Sequence, residues 1–307
     1  MTTDVAAGLP AGLTTRALTM ADAAAVTAVI SAQELDDVGE VIIEEADIVA
    51  DWQRPGYDVT ASSIGVFDDD RLVAYAESGS GGRGDAAVHP DYRGRGIGTR
   101  LAAWMRARAG EQGQPEVGMP VPQGSPGDVL LEGLGYRVRW TSWVLQLPEG
   151  ASIPARPLPE GYVVREAGPD EYEAAWTVQE DAFLEWSVRE RETYAQWESS
   201  VVRRPGFEPW NLRVVADPGG VVVAMGLVQL NDRCAYIARL ATRRDQRGRG
   251  LAQALLVDAF AVAAEHGATR SELSTDSRTG ALSLYEKVGM EVTSVWVNRA
   301  IETGAPR

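Results

Sequence analysis

The chain has 307 residues, of which 45% are hydrophobic and 24% charged, a composition typical of folded globular proteins and not of disordered ones. It carries 29 Lys and Arg against 44 Asp and Glu, and this net charge of −15 disfavours binding to nucleic acid or an anionic membrane. One cysteine excludes an internal disulfide, two histidines leave little for a metal site, and no apolar stretch reaches the ~20 residues of a membrane span. Because no signal peptide is recognisable, we expect a cytoplasmic protein. Because histidine and cysteine are so few, we expect no metal site.

An internal repeat runs through the chain. VHPDYRGRGIG at 88–98 recurs as TRRDQRGRGLA at 242–252, and LEGLGY at 131–136 recurs as YEKVGM at 285–290, both with an offset of 154 residues. A third match joins GLTTR at 12–16 to GYVVR at 161–165 with an offset of 149 residues. Three matches in the same order indicate two copies of one domain.

A proline-rich segment separates the two copies. Four prolines fall between Pro148 and Pro159, a density that neither helices nor central strands tolerate. We therefore expect a linker at about 148–160 between two domains, 1–147 and 160–307. The repeated cores cover about 11–147 and 160–302.

The second copy shows its elements most clearly, and they are predicted in chain order from periodicity. A strand at 162–165 precedes a helix that opens at Pro169 with acidic residues in its first turn. Strands at 212–216 and 221–230 flank Asp217-Pro-Gly-Gly220, which is typical of a hairpin turn. There follow a strand at 235–241, a helix at 249–266, a strand at 270–274, a helix at 279–288 and a strand at 292–300. The first copy repeats this order, with a weaker last helix that is expected to start late. The predicted fold class is α/β (mixed α+β).

The repeated Arg/Gly segments lie between a strand and a helix, where they could bind an anion. Their glycines allow a sharp turn that brings backbone N–H groups close to a ligand, and the helix adds its unpaired N–H groups and the positive end of its dipole. A nucleotide P-loop is excluded because no Lys-Ser/Thr follows the last glycine. A dinucleotide fingerprint is excluded because Thr99 and Gln253 stand where a small residue is needed. A solvated loop that only offsets the acidic field stays open as the alternative.

At these residues the sequence resembles the GNAT superfamily of acyl-CoA N-acyltransferases, whose core motif is Arg/Gln-x-x-Gly-x-Gly/Ala. Arg93-x-x-Gly96-x-Gly98 and Arg247-x-x-Gly250-x-Ala252 both match, and the resemblance covers nearly all of both copies. It implies two tandem GNAT-like domains, each with a mixed central sheet flanked by helices, and acetyl-CoA whose pyrophosphate is held by the loop amides. The cofactor-binding residues that it implies are Arg93, Gly94, Arg95, Gly96 and Gly98, and in the second copy Thr242, Arg247, Gly248, Arg249, Gly250, Leu251 and Ala252.

The two copies differ at the catalytic acid that the resemblance implies. In the family, a tyrosine on the last helix lies near the CoA sulfur, and Tyr285 in ALSLYEKVGM fits that setting. A phenol with a reference pKa near ~10 can return a proton to the leaving thiolate. The residue pattern alone also allows Tyr285 to be a core residue, because it belongs to an apolar stripe at helical spacing. Leu131 stands at this position in the first copy and cannot donate a proton, so catalysis is predicted in the second copy and the first is considered degenerate. Whether the first copy still holds CoA or only helps to shape the substrate cleft of the second stays open.

No general base is evident from the sequence. Candidates in the second copy are the acidic residues Asp181, Glu185 and Glu190, each of which taken singly fits an exposed acidic helix face better, and Glu272 and Asp276 at the adjacent strand. Many relatives carry an asparagine where this chain has Arg278, and whether Arg278 contacts CoA is open.

The leading prediction is an acetyl-CoA-dependent N-acetyltransferase that transfers the acetyl group directly to a primary amine of a small molecule. Two alternatives stay open: a non-catalytic acyl-CoA-binding or regulatory protein, and a protein or peptide amine acetyltransferase. The segments 33–56 and 181–206, where specificity would lie, do not separate them. A monomer is favoured, because two packed copies can replace a homodimer.

Overall fold

The structure, a computed structural model, describes residues 8–304 apart from the side chain of Ser80. The chain divides into two compact units. The first unit comprises Met1–Thr141 and Trp296–Arg307, and the second comprises Ser142–Val295. Residues 1–7 and 305–307, the outer ends of the two predicted domains, lie outside the described residues. Within 8–304, no helix combines the length and the apolar character that crossing a membrane requires.

The first unit has a central sheet covered by helices on both faces. Its elements are β1 (Leu13–Arg16), α1 (Ala23–Asp37), α2 (Glu45–Trp52), α3 (Val59–Ser62), β2 (Ser63–Asp68), β3 (Arg71–Ser78), β4 (Gly84–Val88), α4 (Ile97–Glu111), β5 (Glu116–Pro122), α5 (Pro126–Gly133) and the beginning of β6 (Arg137–Gln146). Strands β1 to β4 are antiparallel neighbours in chain order. Leu72 and Tyr75 of β3 pack in one apolar cluster with Val26 of α1, whereas Val73 and Ala76 pack in another with Leu101 of α4.

The second unit repeats this layout. It contains the end of β6, then β7 (Val163–Glu166), α6 (Tyr172–Phe183), α7 (Tyr194–Ser200), β8 (Leu212–Ala216), β9 (Val222–Asn231), β10 (Cys234–Thr242), α8 (Leu251–Glu265), β11 (Arg270–Asp276), α9 (Leu282–Lys287) and the beginning of β12 (Glu291–Glu302). Strands β7 to β10 are antiparallel neighbours, and β11 pairs parallel to β10. All predicted elements of this copy are confirmed, with ends that differ by three residues or fewer. Residues 147–162, around the predicted linker, form neither helix nor strand.

The last strand of each repeat pairs outside its own repeat. Residues 142–146 of β6 pair with β11 in the second unit, and residues 296–302 of β12 pair with β5 in the first unit. Arg299 of β12 is 2.6 Å from the carboxylate of Asp128 in α5. The repeat and the compact units therefore divide the chain differently, and the two linear domains stay a prediction.

Helix α5 corrects one expectation about the first copy. The predicted last helix was weak and late, yet α5 has eight residues and α9, its counterpart, has six. The Ser125 side chain caps α5 by accepting a hydrogen bond from the Asp128 N–H. Pro126 stands at the first helical position, where its missing N–H has no cost. The prolines before the helix therefore help to start it.

Candidate active site

Strands β4 and β5 of the first unit diverge beside the Arg/Gly loop. Arg83, the residue before β4, forms an isolated parallel bridge with Gly118 of β5, and a cavity of about 390 Å³ opens between the two strands. Its lining includes residues of both strands, the loop, α4 and α5, among them Ala86, Val88, Met119, Val121, Gly94, Gly96, Gly98, Leu130 and Leu131. Small-molecule sites typically enclose roughly 300–1,000 Å³. The cavity is therefore large enough for a substantial part of an elongated ligand.

The Arg/Gly loop of the first unit has the backbone of an anion site. Gly94 and Gly96 adopt positive φ angles of 74° and 82°, and a Cβ on either would meet nothing within 4 Å. Because α4 begins at Ile97, the first-turn N–H groups have no intrahelical partner and the positive end of the helix dipole lies here. A Cβ on Gly98 would come within 2.8 Å of Leu130 Cδ2, so a side chain there would displace the end of Leu130 on α5. These residues fit a pyrophosphate, as the resemblance implies.

The arginines of this loop are partly neutralised. The Arg93 guanidinium lies 2.6 Å from Asp36 and 2.9 Å from Asp37. Arg95 donates a hydrogen bond to the Asp91 carbonyl at 2.8 Å, and its guanidinium lies 4.8 Å from the centre of the Tyr92 ring. An anion at this loop would therefore depend on the backbone N–H groups and on Arg95 more than on Arg93.

The linker covers the corresponding loop of the second unit. Gly250 again has a positive φ angle, 81°, but a Cβ there would come within 2.7 Å of the Arg156 side chain. The Gln253 amide, on the first turn of α8, donates a hydrogen bond to the Pro154 carbonyl at 2.6 Å. Ile153 is 7% exposed and packs into the apolar cluster of this unit. Residues 153–156 therefore lie across the approach to the second loop.

The other predicted residues of the second loop gather at the same end of α8. Arg247 donates two hydrogen bonds to the Glu185 carboxylate at 2.9 and 2.7 Å. Arg249 donates one to the Tyr162 hydroxyl at 3.2 Å. The Thr242 hydroxyl is buried without a hydrogen-bond partner among the described residues. Gly248 has a positive φ angle with open space around it, and Leu251 and Ala252 begin the helix. The predicted set is thus brought together, but its principal arginine is already paired.

The predicted acid and its counterpart lie in different surroundings. Tyr285 is 9% exposed and packs in an apolar cluster that includes Leu273 and Ile153 of the linker. Burial raises the pKa of Tyr285 to about 12. Leu131 lines the cavity of the first unit. In the first unit, the helix position at which the resemblance implies the acid faces the cavity, but the Leu131 side chain at this position cannot transfer a proton.

Within residues 8–304, four of the five candidate bases in the second unit have an arginine partner. The pairs are Asp181–Arg191 at 2.6 Å, Glu185–Arg247 at 2.7 Å, Glu272–Arg270 at 3.9 Å and Asp276–Arg278 at 2.6 Å. Arg247 lowers the pKa of Glu185 through its hydrogen bonds. A carboxylate whose charge is stabilised in this way is a weaker base. Arg278 also lies over the Trp186 ring, at 4.8 Å from its centre.

Sequence reasoning missed a carboxylate in the first unit. Glu77 of β3 lies opposite Asp85 of β4. The Trp52 indole N–H and the Tyr57 hydroxyl donate hydrogen bonds to Glu77 Oε2 at 2.8 and 3.1 Å. Burial, followed by the charge of Asp85, raises the pKa of Glu77 to about 7, which is suitable for a general base. The available signal was a glutamate inside an otherwise apolar strand segment.

Comparison with known proteins identifies the family. The model of the acetyltransferase (GNAT) family matches residues 28–119 and 172–290, together more than half of the chain. This chain belongs to the GNAT acetyltransferase family. It is similar to the mycothiol acetyltransferase of Salinispora arenicola (31% identity over 230 residues, 70% of this chain and 71% of that protein). It is also similar to the mycothiol acetyltransferase of Thermobispora bispora (26% identity over 278 residues, 83% of this chain and 92% of that protein).

Solved structures agree with this family. A GCN5-related N-acetyltransferase from Sphaerobacter thermophilus has a TM-score of 0.75 and 29% identity, and the match covers 97% of this chain and 98% of that one. A tandem GNAT protein from the clavulanic acid biosynthesis pathway has a TM-score of 0.71 at 18% identity, with 96% and 100% covered, which shows the fold alone. The GNAT chain described here is therefore an N-acetyltransferase that uses acetyl-CoA and an amine acceptor. The predicted fold class, family and cofactor are confirmed.

Proposed function

We propose that this GNAT chain acetylates a primary amine of a small molecule and that acetyl-CoA binds in the first unit. The observation that carries the proposal is the cavity beside the loop Arg93–Gly98, together with the linker residues 153–156 that cover the second loop. The loop amides and the first turn of α4 would hold the pyrophosphate, and β4 and β5 would flank the arm that carries the thioester. Bound acetyl-CoA supplies the carbonyl carbon that the amine attacks.

Catalysis in the second unit, with Tyr285 as acid, stays a prediction. Leu131 does not exclude transfer in the first unit, because a thiol with a reference pKa near ~8.5 can leave as an anion near neutral pH. The relatives named mycothiol acetyltransferases favour a small-molecule acceptor over a protein amine. The predicted monomer and the predicted absence of a nucleic-acid partner also stay predictions.

Calorimetric titration of acetyl-CoA tests which unit binds it. Gly98→Leu places a side chain against Leu130 and into the cavity, and Ala252→Leu makes the matched change in the second loop. We expect one site per chain, with affinity at least tenfold weaker in Gly98→Leu and unchanged in Ala252→Leu. Thermal unfolding of both variants checks that the fold is kept.

The opposite pattern, with binding lost only in Ala252→Leu, would move the cofactor to the second unit and restore Tyr285 as the leading acid. Two sites in the unaltered chain would contradict the role given to the linker. Release of thiol from acetyl-CoA with a panel of small primary amines then tests the acceptor class. Acetylation of peptide amines alone would contradict the small-molecule assignment.

A further inference from the structure

Strand β4 of the first unit turns the backbone N–H of Val88 toward the cavity. In an antiparallel pair, residues that bond to the neighbouring strand alternate with residues that do not. The His89 N–H donates to the Val73 carbonyl of β3 at 2.9 Å. The adjacent Val88, which lies opposite Ala74, therefore points its N–H away from β3. Because β4 is the last strand of its four-stranded sheet and Val88 lines the cavity, this N–H belongs to an open strand edge.

A side chain of α1 occupies this N–H. The Val88 N–H donates a hydrogen bond to Gln33 Oε1 at 3.0 Å, and Gln33 lines the same cavity. A backbone N–H that is removed from water needs such an acceptor. The Gln33 amide oxygen thus stands at the place on the strand edge where the carbonyl of an incoming ligand would bind.

The arm of CoA carries the same chemical group as Gln33. It contains two secondary amides in an extended chain, and chains of this kind pair with an exposed strand edge through hydrogen bonds to the backbone. In the function proposed above, this arm lies between β4 and β5. A backbone N–H has one proton to donate. A carbonyl of the arm and Gln33 Oε1 therefore compete for the Val88 N–H.

The second repeat has no amide side chain at this place. By the offsets of 154 and 149 residues, Val88 corresponds to Thr242 and Gln33 corresponds to Ala182. Ala182 packs in an apolar cluster, and its methyl group cannot accept a hydrogen bond. The competing amide is therefore found in the repeat that has the cavity.

The Gln33 side chain can leave Val88 without movement of α1. The helix is anchored by Val26 and Val29, which are 0% and 2% exposed and pack in one apolar cluster with Leu72 of β3. Gln33 itself is only half-buried. Rotation about its side-chain bonds, between staggered rotamers, is enough to move the amide group away from the strand.

We propose that Gln33 sets the affinity of the first unit for acetyl-CoA by competing with the arm of CoA for the Val88 N–H. This rests on the proposed binding of acetyl-CoA in the first unit. In the free chain Gln33 Oε1 accepts from this N–H, and in the complex a carbonyl of the arm replaces it. One hydrogen bond is exchanged for another, so the contact adds little to the affinity of the unaltered chain. Without the Gln33 oxygen, the ligand supplies a hydrogen bond that the free chain lacks.

Gln33→Met tests the competition, because methionine keeps the length of the side chain but lacks the amide oxygen. Calorimetric titration compares acetyl-CoA with 3′-phosphoadenosine 5′-diphosphate, which keeps the nucleotide and pyrophosphate of CoA and has no arm. We expect Gln33→Met to bind acetyl-CoA about fivefold tighter or more, and the nucleotide with an affinity within about twofold of that of the unaltered chain. Leu35→Ala, an exposed change on the same helix, should leave both affinities within about twofold.

Thermal unfolding supplies a second measurement. Without ligand, Gln33→Met should have a lower midpoint than the unaltered chain, because the Val88 N–H has lost its acceptor. With saturating acetyl-CoA the difference should disappear, because the arm then pairs with this N–H in both proteins.

Three results would overturn the proposal: unchanged or weaker binding of acetyl-CoA by Gln33→Met, an equal gain in affinity for both ligands, or a midpoint difference that persists at saturation. Each can occur while acetyl-CoA still binds in the first unit. Failure of Gly98→Leu to weaken acetyl-CoA binding would instead overturn the proposed function.

Discussion

Arg299 anchors the end of β12 in the first unit, and its replacement should destabilise that unit strongly. Its guanidinium lies 2.6 Å from Asp128, and it donates to Glu132 at 3.2 Å and to the Tyr136 carbonyl at 3.3 Å. The side chains of Arg299 and Asp128 are 10% and 9% exposed. Arg299→Met keeps most of the aliphatic volume and leaves the Asp128 carboxylate without this cation.

The expected loss follows from the surroundings of Asp128. Removing one partner of a buried ion pair costs roughly 3–5 kcal/mol. The Gly124 N–H still donates to Asp128 at 2.8 Å, so we expect the lower end, about 3 kcal/mol. Each kcal/mol shifts the unfolding midpoint of a unit of this size by roughly 2–4 °C, which predicts a decrease of about 6–12 °C. Scanning calorimetry is the assay, because a chain with two units need not unfold in one transition.

A double-mutant cycle shows whether loss of the Arg299–Asp128 ion pair itself accounts for the destabilisation. Asp128→Asn removes the charge and keeps the acceptor oxygen, so the double variant should be less destabilised than the sum of the two single variants. Because α5 lines the cavity, Arg299→Met should also weaken acetyl-CoA binding. A midpoint shift below about 2 °C, or strictly additive losses, would refute the reasoning.

Three further outcomes are expected. The folded chain holds the Glu77 proton with a pKa of about 7, raised from 4.5, so stability should fall by on the order of 2 kcal/mol as pH rises from 4.5 to 7. Glu77→Gln should remove this loss, as thermal melts across the range would show; an unchanged slope would contradict the raised pKa. Arg156→Ala combined with Ile153→Ser should uncover the second loop and add a second acetyl-CoA site in calorimetry, whereas unchanged stoichiometry would show that the linker does not limit binding. Tyr285→Phe should leave turnover within about twofold if transfer occurs in the first unit, and a large loss of turnover at intact CoA affinity would identify Tyr285 as the acid.

The order of elements could be predicted because its signals are local. The stripe of apolar residues in α8 and the turn Asp217–Gly220 each depend on a few neighbouring residues. The pairing of β6 with β11 and of β12 with β5 could not be predicted, because the partner of a strand is a non-local property. Arg299 lies in a strand that is half polar, so the sequence does not single it out, and its role is evident only from its contact with Asp128 on α5.

The position of the Arg/Gly loops could be predicted from the sequence, but their accessibility and the surroundings of Glu77 could not. Glycines with positive φ before a helix leave a recognisable sequence pattern, so both Arg/Gly loops could be identified. Their different accessibility depends on Ile153 and Arg156, in a segment whose prolines indicate only that helix and strand are absent. Glu77 becomes informative only when Asp85 is known to lie opposite it, which again requires the register of two strands.

The two repeats differ in the side chains that could act as acid or base in the transfer. The first repeat has the carboxylate pair and Leu131, whereas the second has Arg239 and Tyr285 at the corresponding positions. An alkylamine with a pKa near ~10.4 is more than three pKa units from being neutral at pH 7, a cost of about 4–5 kcal/mol without a base. A thiol with a pKa near ~8.5 is only about 1.5 units from being an anion, a cost of about 2 kcal/mol without an acid. The amine is therefore the group further from its reactive form at pH 7, and each repeat carries a different side chain that could assist proton transfer, Glu77 in the first and Tyr285 in the second.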